Sequence, residues 1–251
     1  MNEYMMIAGA VVSGLLGGFL GLGGGVILVP FLTLLLGMPM QQAVAISLAT
    51  IMANSLVSST EYLRNNMIDL KLVVLFSFFA SIGAISAGAI GRYIPGNYLQ
   101  VAFALMLVYS TIVILRRHNE SPQQKPHSLT ARPVITVGTA FGTGVVSTLL
   151  GVGGGVLIIP ASYLILNYPM GLARGSSTFA IGIIATAGSV VYLMHGTINV
   201  ECIAPVMLGT MAGGWLGGLY GARAKSDTIR PAFAILLSYL AIKMFISGIS
   251  P

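Results

Sequence analysis

Charge is what this sequence has least of. Only 7% of its 251 residues are charged, against about 25% in a soluble domain that must stay hydrated. The acidic residues are Glu3, Glu61, Asp69, Glu120, Glu201 and Asp227, and most lie at or beyond the ends of apolar runs. Metal–carboxylate and paired-carboxylate chemistry are therefore nearly excluded. A single cysteine, Cys202, leaves no disulfide framework, no zinc-binding spacing and no thiol pair. The histidines His118, His127 and His195 are scattered near connections. A hydrolytic or redox site has little to be built from, and neither a metal nor a cofactor is expected.

What is present is apolar. Hydrophobic residues make up 56% of the chain and the mean hydropathy is +0.92, which together describe an integral membrane protein. The net charge of +6 could suggest an anionic partner, but in a membrane protein lysine and arginine mainly record which loops stay inside. No nucleic-acid partner is expected. The opening residues, MNEYMMIAGAVV, lack the positive n-region of a signal peptide, so this segment is expected to be retained.

Laid over itself at an offset of 130, the chain repeats. Gly14 to Pro30 (GLLGGFLGLGGGVILVP) matches Gly144 to Pro160 (GVVSTLLGVGGGVLIIP) with 8 of 17 positions identical. The same register pairs Pro39-Met40 with Pro169-Met170 and Ser47 with Ser177. It also pairs Gly83, Gly88 and Gly91 with Gly213, Gly218 and Gly221, and Tyr109 with Tyr239. The organisation this predicts is a membrane repeat over 1–115, a polar cytoplasmic linker over 116–132 (RRHNESPQQKPHSLTAR, the composition of an exposed segment) and a second membrane repeat over 133–251.

Apolar runs cover 4–36, 41–63, 70–91 and 97–115, then 133–167, 172–194, 202–222 and 229–249. Most fit the roughly 20 residues a helix needs to cross the hydrocarbon core. The first run of each half is too long: as one straight helix, 4–36 would reach about 50 Å against a core of about 30 Å. Gly21-Leu22-Gly23-Gly24-Gly25 and Gly151-Val152-Gly153-Gly154-Gly155 are the places for a break, because consecutive glycines disfavour helix and permit positive φ. The expected fold is thus all-α, with two homologous repeats, each a glycine-broken first helix or hairpin followed by three transmembrane helices.

The positive residues bear on orientation. They cluster at 64–71 and 116–132 in the first half and at 174 and 223–230 in the second. If each broken segment returns to its own face, all these clusters fall on one side, the two repeats are inverted, and both termini lie outside. Four simple crossings per half would instead make the repeats parallel.

Most glycines here read as sites of close helix packing. Gly83, Ala87 and Gly91, mirrored by Gly213, Gly217 and Gly221, form small-xxx-small faces. The paired GxGGG runs differ because they interrupt a helix, and backbone that leaves helical bonding in lipid needs other partners. The residues after each run can start a short helix whose free N–H groups and dipole suit an anion, and two such ends can face each other near the midplane. Gly21, Gly23, Gly24, Gly25, Gly151, Gly153, Gly154 and Gly155 are therefore candidate substrate-binding residues.

Ser47, Thr50, Asn54, Ser58 and Glu61 fall on about an 80° stripe of one helix, able to line a path or to hydrogen-bond a neighbouring helix. Ser47, Thr50, Asn54 and Ser177 join the candidate set, with Ser47 and Ser177 foremost because the repeat pairs them. Glu61, Arg64, Arg174 and Lys243 read as side chains snorkelling to the interface; Arg174, three residues before Ser177, could also attract an anion.

Two copies of a four-segment unit, each opening with GxGGGxxxxP (Gly21 to Pro30, Gly151 to Pro160) and continuing to a serine in the next helix (Ser47, Ser177), resemble the TauE/SafE family of sulfite exporters. This is also called the toluene sulfonate uptake permease family. The resemblance covers nearly the whole chain apart from the linker. It implies a transporter of small sulfur-containing anions such as sulfite or organosulfonates, multi-pass in the bacterial or archaeal inner membrane. The second half lacks a counterpart of Asn54, having Ile184 instead.

The expected function is alternating-access transport of such an anion around a midplane site built from the paired breaks. The expected partners are that small anionic substrate and the lipid bilayer, with a homo-oligomer left open. A permease for another small solute and a non-transporting membrane scaffold are the alternatives; an intramembrane enzyme lacks the clustered His, Asp or Cys residues it would need.

Overall fold

A computed structural model describes residues 3–91, 93–116, 133–164, 166, 168–196, 200–223 and 230–249. These are mostly helical, with no strand among the described residues. The first half contains α1 (Glu3–Leu20), α2 (Gly25–Pro30) running into a π-helical turn (Phe31–Leu35), α3 (Met40–Arg64), α4 (Leu70–Gly91) and α5 (Gly96–Arg116). The second contains α6 (Pro133–Leu150), α7 (Gly155–Leu164), α8 (Met170–Met194), α9 (Val200–Arg223) and α10 (Arg230–Ile249). Arg116, the first residue of the expected linker, ends α5; the rest of the linker lies outside the described residues.

The elements begin and end where local chemistry requires it. Pro39 (φ −55, ψ 140) and Pro169 (φ −56, ψ 141) each precede a 25-residue helix, where a fixed φ and a missing N–H cost the helix nothing. Those helices stop at residues in the left-handed region, Asn66 (φ 53) and Gly196 (φ 66), two residue types that tolerate it. Pro30 lies at the end of α2, and the chain widens there into the π turn.

The long first run of each half is a hairpin. Leu22 N donates to Gly17 O at 2.9 Å, Ser13 Oγ donates to Gly24 O at 2.9 Å, and the Phe31 ring lies against Gly9. Residues 24 and 31 thus sit beside residues 13 and 9, so α2 returns antiparallel along α1.

Glycines bring helix backbones into direct contact. α9 runs parallel to α1: Gly209 meets Ala10, Gly213 meets Val11, Gly217 meets Leu15 and Gly221 meets Phe19. α4 runs parallel to α6 in the same manner, with Gly83 against Phe141, Gly88 against Thr148 and Gly91 against Leu149. α3 and α8 run antiparallel, because Gly188 meets Leu48, Gly182 meets Ser55 and Gly175 meets Met67. α5 and α10 are also antiparallel, with Gly248 near the end of α10 against Asn97 and Val101 at the start of α5. Each of these pairs joins one half of the chain to the other. In lipid, where hydrophobicity does not drive helices together, such close backbone approach is the main source of association.

The outer surface is apolar. On α4, Val74, Phe78 and Ile85 are 67%, 61% and 52% exposed, while Val73, Phe76, Ala80 and Ala84 on the other side are buried. A face this hydrophobic needs a hydrocarbon neighbour. α3, α4, α5, α8 and α10 are long and apolar enough to cross a membrane.

Candidate functional site

The two breaks have the same backbone. Gly21, Gly23 and Gly24 adopt φ of 74, 83 and 88; Gly151, Gly153 and Gly154 adopt 70, 80 and 88. Side chains are strained in that region, which explains why the same three places are glycine twice. Gly24 then caps α2, whose Ile27 and Leu28 N–H groups donate to Gly24 O at 3.1 Å each. Gly154 O serves Leu157 and Ile158 in the same way at 2.9 Å.

The breaks lie against each other at the centre of the molecule. Ser47 Oγ donates to Gly151 O at 2.7 Å, and Ser177 Oγ donates to Gly21 O at 3.3 Å. Each serine thus satisfies a carbonyl freed by the break in the opposite half. Gly25, first residue of α2, also abuts Gly151 O, while a Cβ on Gly155, first residue of α7, would lie 2.7 Å from Gly21 O. Ile51 and Ile181 close over both loops: a Cβ on Gly23 would lie 3.0 Å from Ile181 Cγ2 and 3.3 Å from Ile51 Cγ2. The starts of α2 and α7 are therefore brought together as expected, but packed directly on one another; an anion between them requires the loops to part.

The polar stripe on α3 is spent on structure. Ser47, Thr50, Asn54, Ser58 and Glu61 are all buried. Asn54 Nδ2 donates to Gly23 O at 3.1 Å and Ser58 Oγ to Gly214 O at 2.9 Å. Thr50 Oγ1 turns back to its own helix at Ser47 O, 2.9 Å away, so of the candidates on this stripe Ser47 and Asn54 reach the breaks and Thr50 does not. Glu61 pairs with Arg64 at 2.8 Å, which places the charged end of the stripe at the helix terminus.

Two asymmetries distinguish the halves. Ile184, in the place of Asn54, is fully buried and donates nothing. At Gly21 the neighbour is Arg174, with its backbone O and Cγ 3.2 and 3.3 Å from a Cβ position there; at Gly151 the same place is taken by Val44. One break has an arginine beside it and the other a valine.

A second polar contact ties the halves away from the centre. Tyr168, between α7 and α8, donates its hydroxyl to Asp69 Oδ2 at 2.9 Å, and Asp69 N donates to Ser176 Oγ at 2.8 Å. Burial, and then the bond to the Asp69 carboxylate, push the Tyr168 hydroxyl well above its ordinary pKa. Sequence reasoning missed this contact and also Ser13, Ile51 and Ile181. Only the pairing of Ile51 with Ile181 at the 130-residue offset could have pointed to the last two.

Fold and site together define a polytopic helical membrane protein with paired helix breaks packed at its centre, and among the described residues no group of acidic, histidine or cysteine side chains is placed to hold a metal. The family model described as "Sulfite exporter TauE/SafE" matches residues 6–244, so the chain belongs to that family. It is a membrane transporter, not an enzyme, and its partners are the bilayer and a small solute. The probable membrane transporter protein YunE of Bacillus subtilis is 23% identical, over 99% of both chains. A probable membrane transporter protein of Xylella fastidiosa is 27% identical over 90% of this chain and 88% of its own length. A further relative from Bacillus subtilis, the probable membrane transporter protein YdhB, is 29% identical over 94% of each. No solved structure matches.

Proposed function

We propose that this protein carries a small sulfur-containing anion, such as sulfite or an organosulfonate, across the cell inner membrane by alternating access about the paired GxGGG breaks. The observation that carries the reading is the reciprocal pair of bonds, Ser47 to Gly151 and Ser177 to Gly21, which makes the two breaks one central contact shared between the halves. Two membrane repeats, 1–115 and 133–251, joined by a cytoplasmic linker over 116–132, rock against each other in this mechanism. Inverted repeats are part of this reading, and the antiparallel contacts between the matched helices α3 and α8, and between α5 and α10, support them.

In the conformation described above the breaks are closed on each other. When they part, the loops Gly21, Gly23, Gly24 and Gly151, Gly153, Gly154 open, and Gly25 and Gly155, first residues of α2 and α7, expose N–H groups that the first turn of a helix leaves without a helical carbonyl. An anion is the natural partner for such donors, with Ser47, Ser177 and Asn54 released from the carbonyls they now occupy. Thr50 serves only to shape α3 beside them.

The test is flux into proteoliposomes. Labelled sulfite enters in a saturable manner and is competed by thiosulfate, taurine or sulfoacetate. A sealed, correctly inserted preparation that moves none of these anions overturns the reading and favours a scaffold.

A further inference from the structure

The two hairpins are matched in backbone but not in what fills them. In the first, the Phe31 ring lies on Gly9 and closes the cleft between α1 and α2. At the offset of 130 the corresponding residues are Ala161 and Thr139, and there a cavity of about 330 Å³ opens, lined by Thr139, Thr143 and Val146 of α6, Leu157 and Ala161 of α7, and Tyr109 of α5. Ala161 has no ring to fill this space as Phe31 fills the first cleft.

Hydroxyl use differs as well. Ser13 Oγ is committed to Gly24 O, whereas its counterpart Thr143 donates to Thr139 O on its own helix at 2.7 Å. Beyond it, Ser147 is fully buried and its Oγ has no hydrogen-bond partner among the described residues. Its counterpart is Gly17, which has no side chain. A buried hydroxyl without a partner is costly and calls for an explanation. Ser147 Oγ lies 3.6 Å from the place a Cβ on Gly154 would occupy, directly before the first residue of the ten-residue α7. Thr143 links the two features: it lines the cavity, and its Cγ2 is 2.9 Å from that same place on Gly154.

We infer that the second hairpin holds an entry site that the first lacks: before the breaks part, a small oxyanion enters through the cleft between α6 and α7 and is bound at the start of α7. Its donors are the Ser147 hydroxyl and the N–H groups of Gly155 and Val156, which the first turn of a helix leaves free. Thr143 is the partition between cleft and site. The first hairpin, filled by Phe31 and lacking a hydroxyl at Gly17, serves as a rigid counterpart. This inference rests on the transport reading above and goes beyond it by making the two repeats unequal.

The experiment uses the full chain in proteoliposomes with Cys202→Ala as background. A cysteine introduced by Ser147→Cys is labelled with an anionic methanethiosulfonate reagent. Labelling is expected to slow about tenfold or more when Ala161→Phe fills the cleft, and to slow again with excess sulfoacetate. Absence of labelling, or a rate indifferent to Ala161→Phe or to sulfoacetate, overturns the site. In flux measurements Ser147→Ala raises KM about tenfold or more, the scale of one hydrogen bond to a charged group, and Ser147→Thr restores it; an unchanged KM in Ser147→Ala also overturns the site. A wild-type protein without anion flux would instead sink the transport reading, while the labelling rates still decide whether the cleft leads to Ser147.

Discussion

Ser47 of α3 donates its hydroxyl to the carbonyl oxygen of Gly151 at 2.7 Å, across 104 residues of chain. A carbonyl freed by a helix break has no water to turn to inside a bilayer, so this bond supplies what the break removes. Its partner through the repeat, Ser177 to Gly21, is longer at 3.3 Å.

Removing either hydroxyl leaves a buried carbonyl unsatisfied, at a cost of about 1–3 kcal/mol. Ser47→Ala is expected to lower the thermal unfolding midpoint in detergent more than Ser177→Ala does, in line with the shorter bond. Equal midpoints for both variants and the wild type would show that neither bond holds the breaks together.

Gly24 and Gly154 have both positive φ and no room. A Cβ on Gly24 would lie 2.9 Å from Ser13 O and one on Gly154 2.9 Å from Thr143 Cγ2. Replacing either with leucine combines left-handed strain of about 1–2 kcal/mol with overpacking of about 1–3 kcal/mol. Flux is expected to be abolished while the protein still inserts; normal flux in both variants argues against a role for the breaks.

Asn54 is the stripe residue whose amide reaches a break in the same half, at Gly23 O. Asn54→Ile imposes on α3 the residue its counterpart α8 already has at Ile184. A destabilisation of about 1–3 kcal/mol is expected from the orphaned Gly23 carbonyl, together with reduced flux. Hydrogen exchange at Leu22 and Gly23 faster than in the wild type is the direct readout.

The Tyr168–Asp69 contact carries a pH signature. The Tyr168 pKa is raised above the ordinary value of 10.0, so below about pH 10 folded and unfolded chains both keep the proton and the preference for the protonated form is fully present. Above it the unfolded chain releases the proton first, and stability falls as pH rises. Tyr168→Phe is expected to remove this part of the alkaline loss, measured as the unfolding midpoint between pH 9 and 11.

Much of this was legible in one dimension. The long first runs had to tilt, protrude or break because a 33-residue helix exceeds the bilayer, and glycines marked where a break would fall. The offset of 130 foretold that Ser47 and Ser177 would play one role, which they do by bonding each other's breaks. Less legible was the work of the α3 stripe. Its periodicity predicted a common face, but not that Asn54 would reach Gly23 while Thr50 turned back to its own helix, because that depends on which neighbour lies within 3 Å.

By itself, the sequence determined membrane residence, the paired breaks and the two matched halves, since these follow from hydropathy, backbone freedom and self-similarity along the chain. The tertiary structure alone decided that the breaks pack on each other, that Arg174 faces one of them and Val44 the other, and that the cleft filled by Phe31 in one hairpin is open in the other. The first two are matters of contact between segments more than a hundred residues apart and the third of side-chain filling within a hairpin, and close packing, unlike periodicity, is settled only when all the helices are in place.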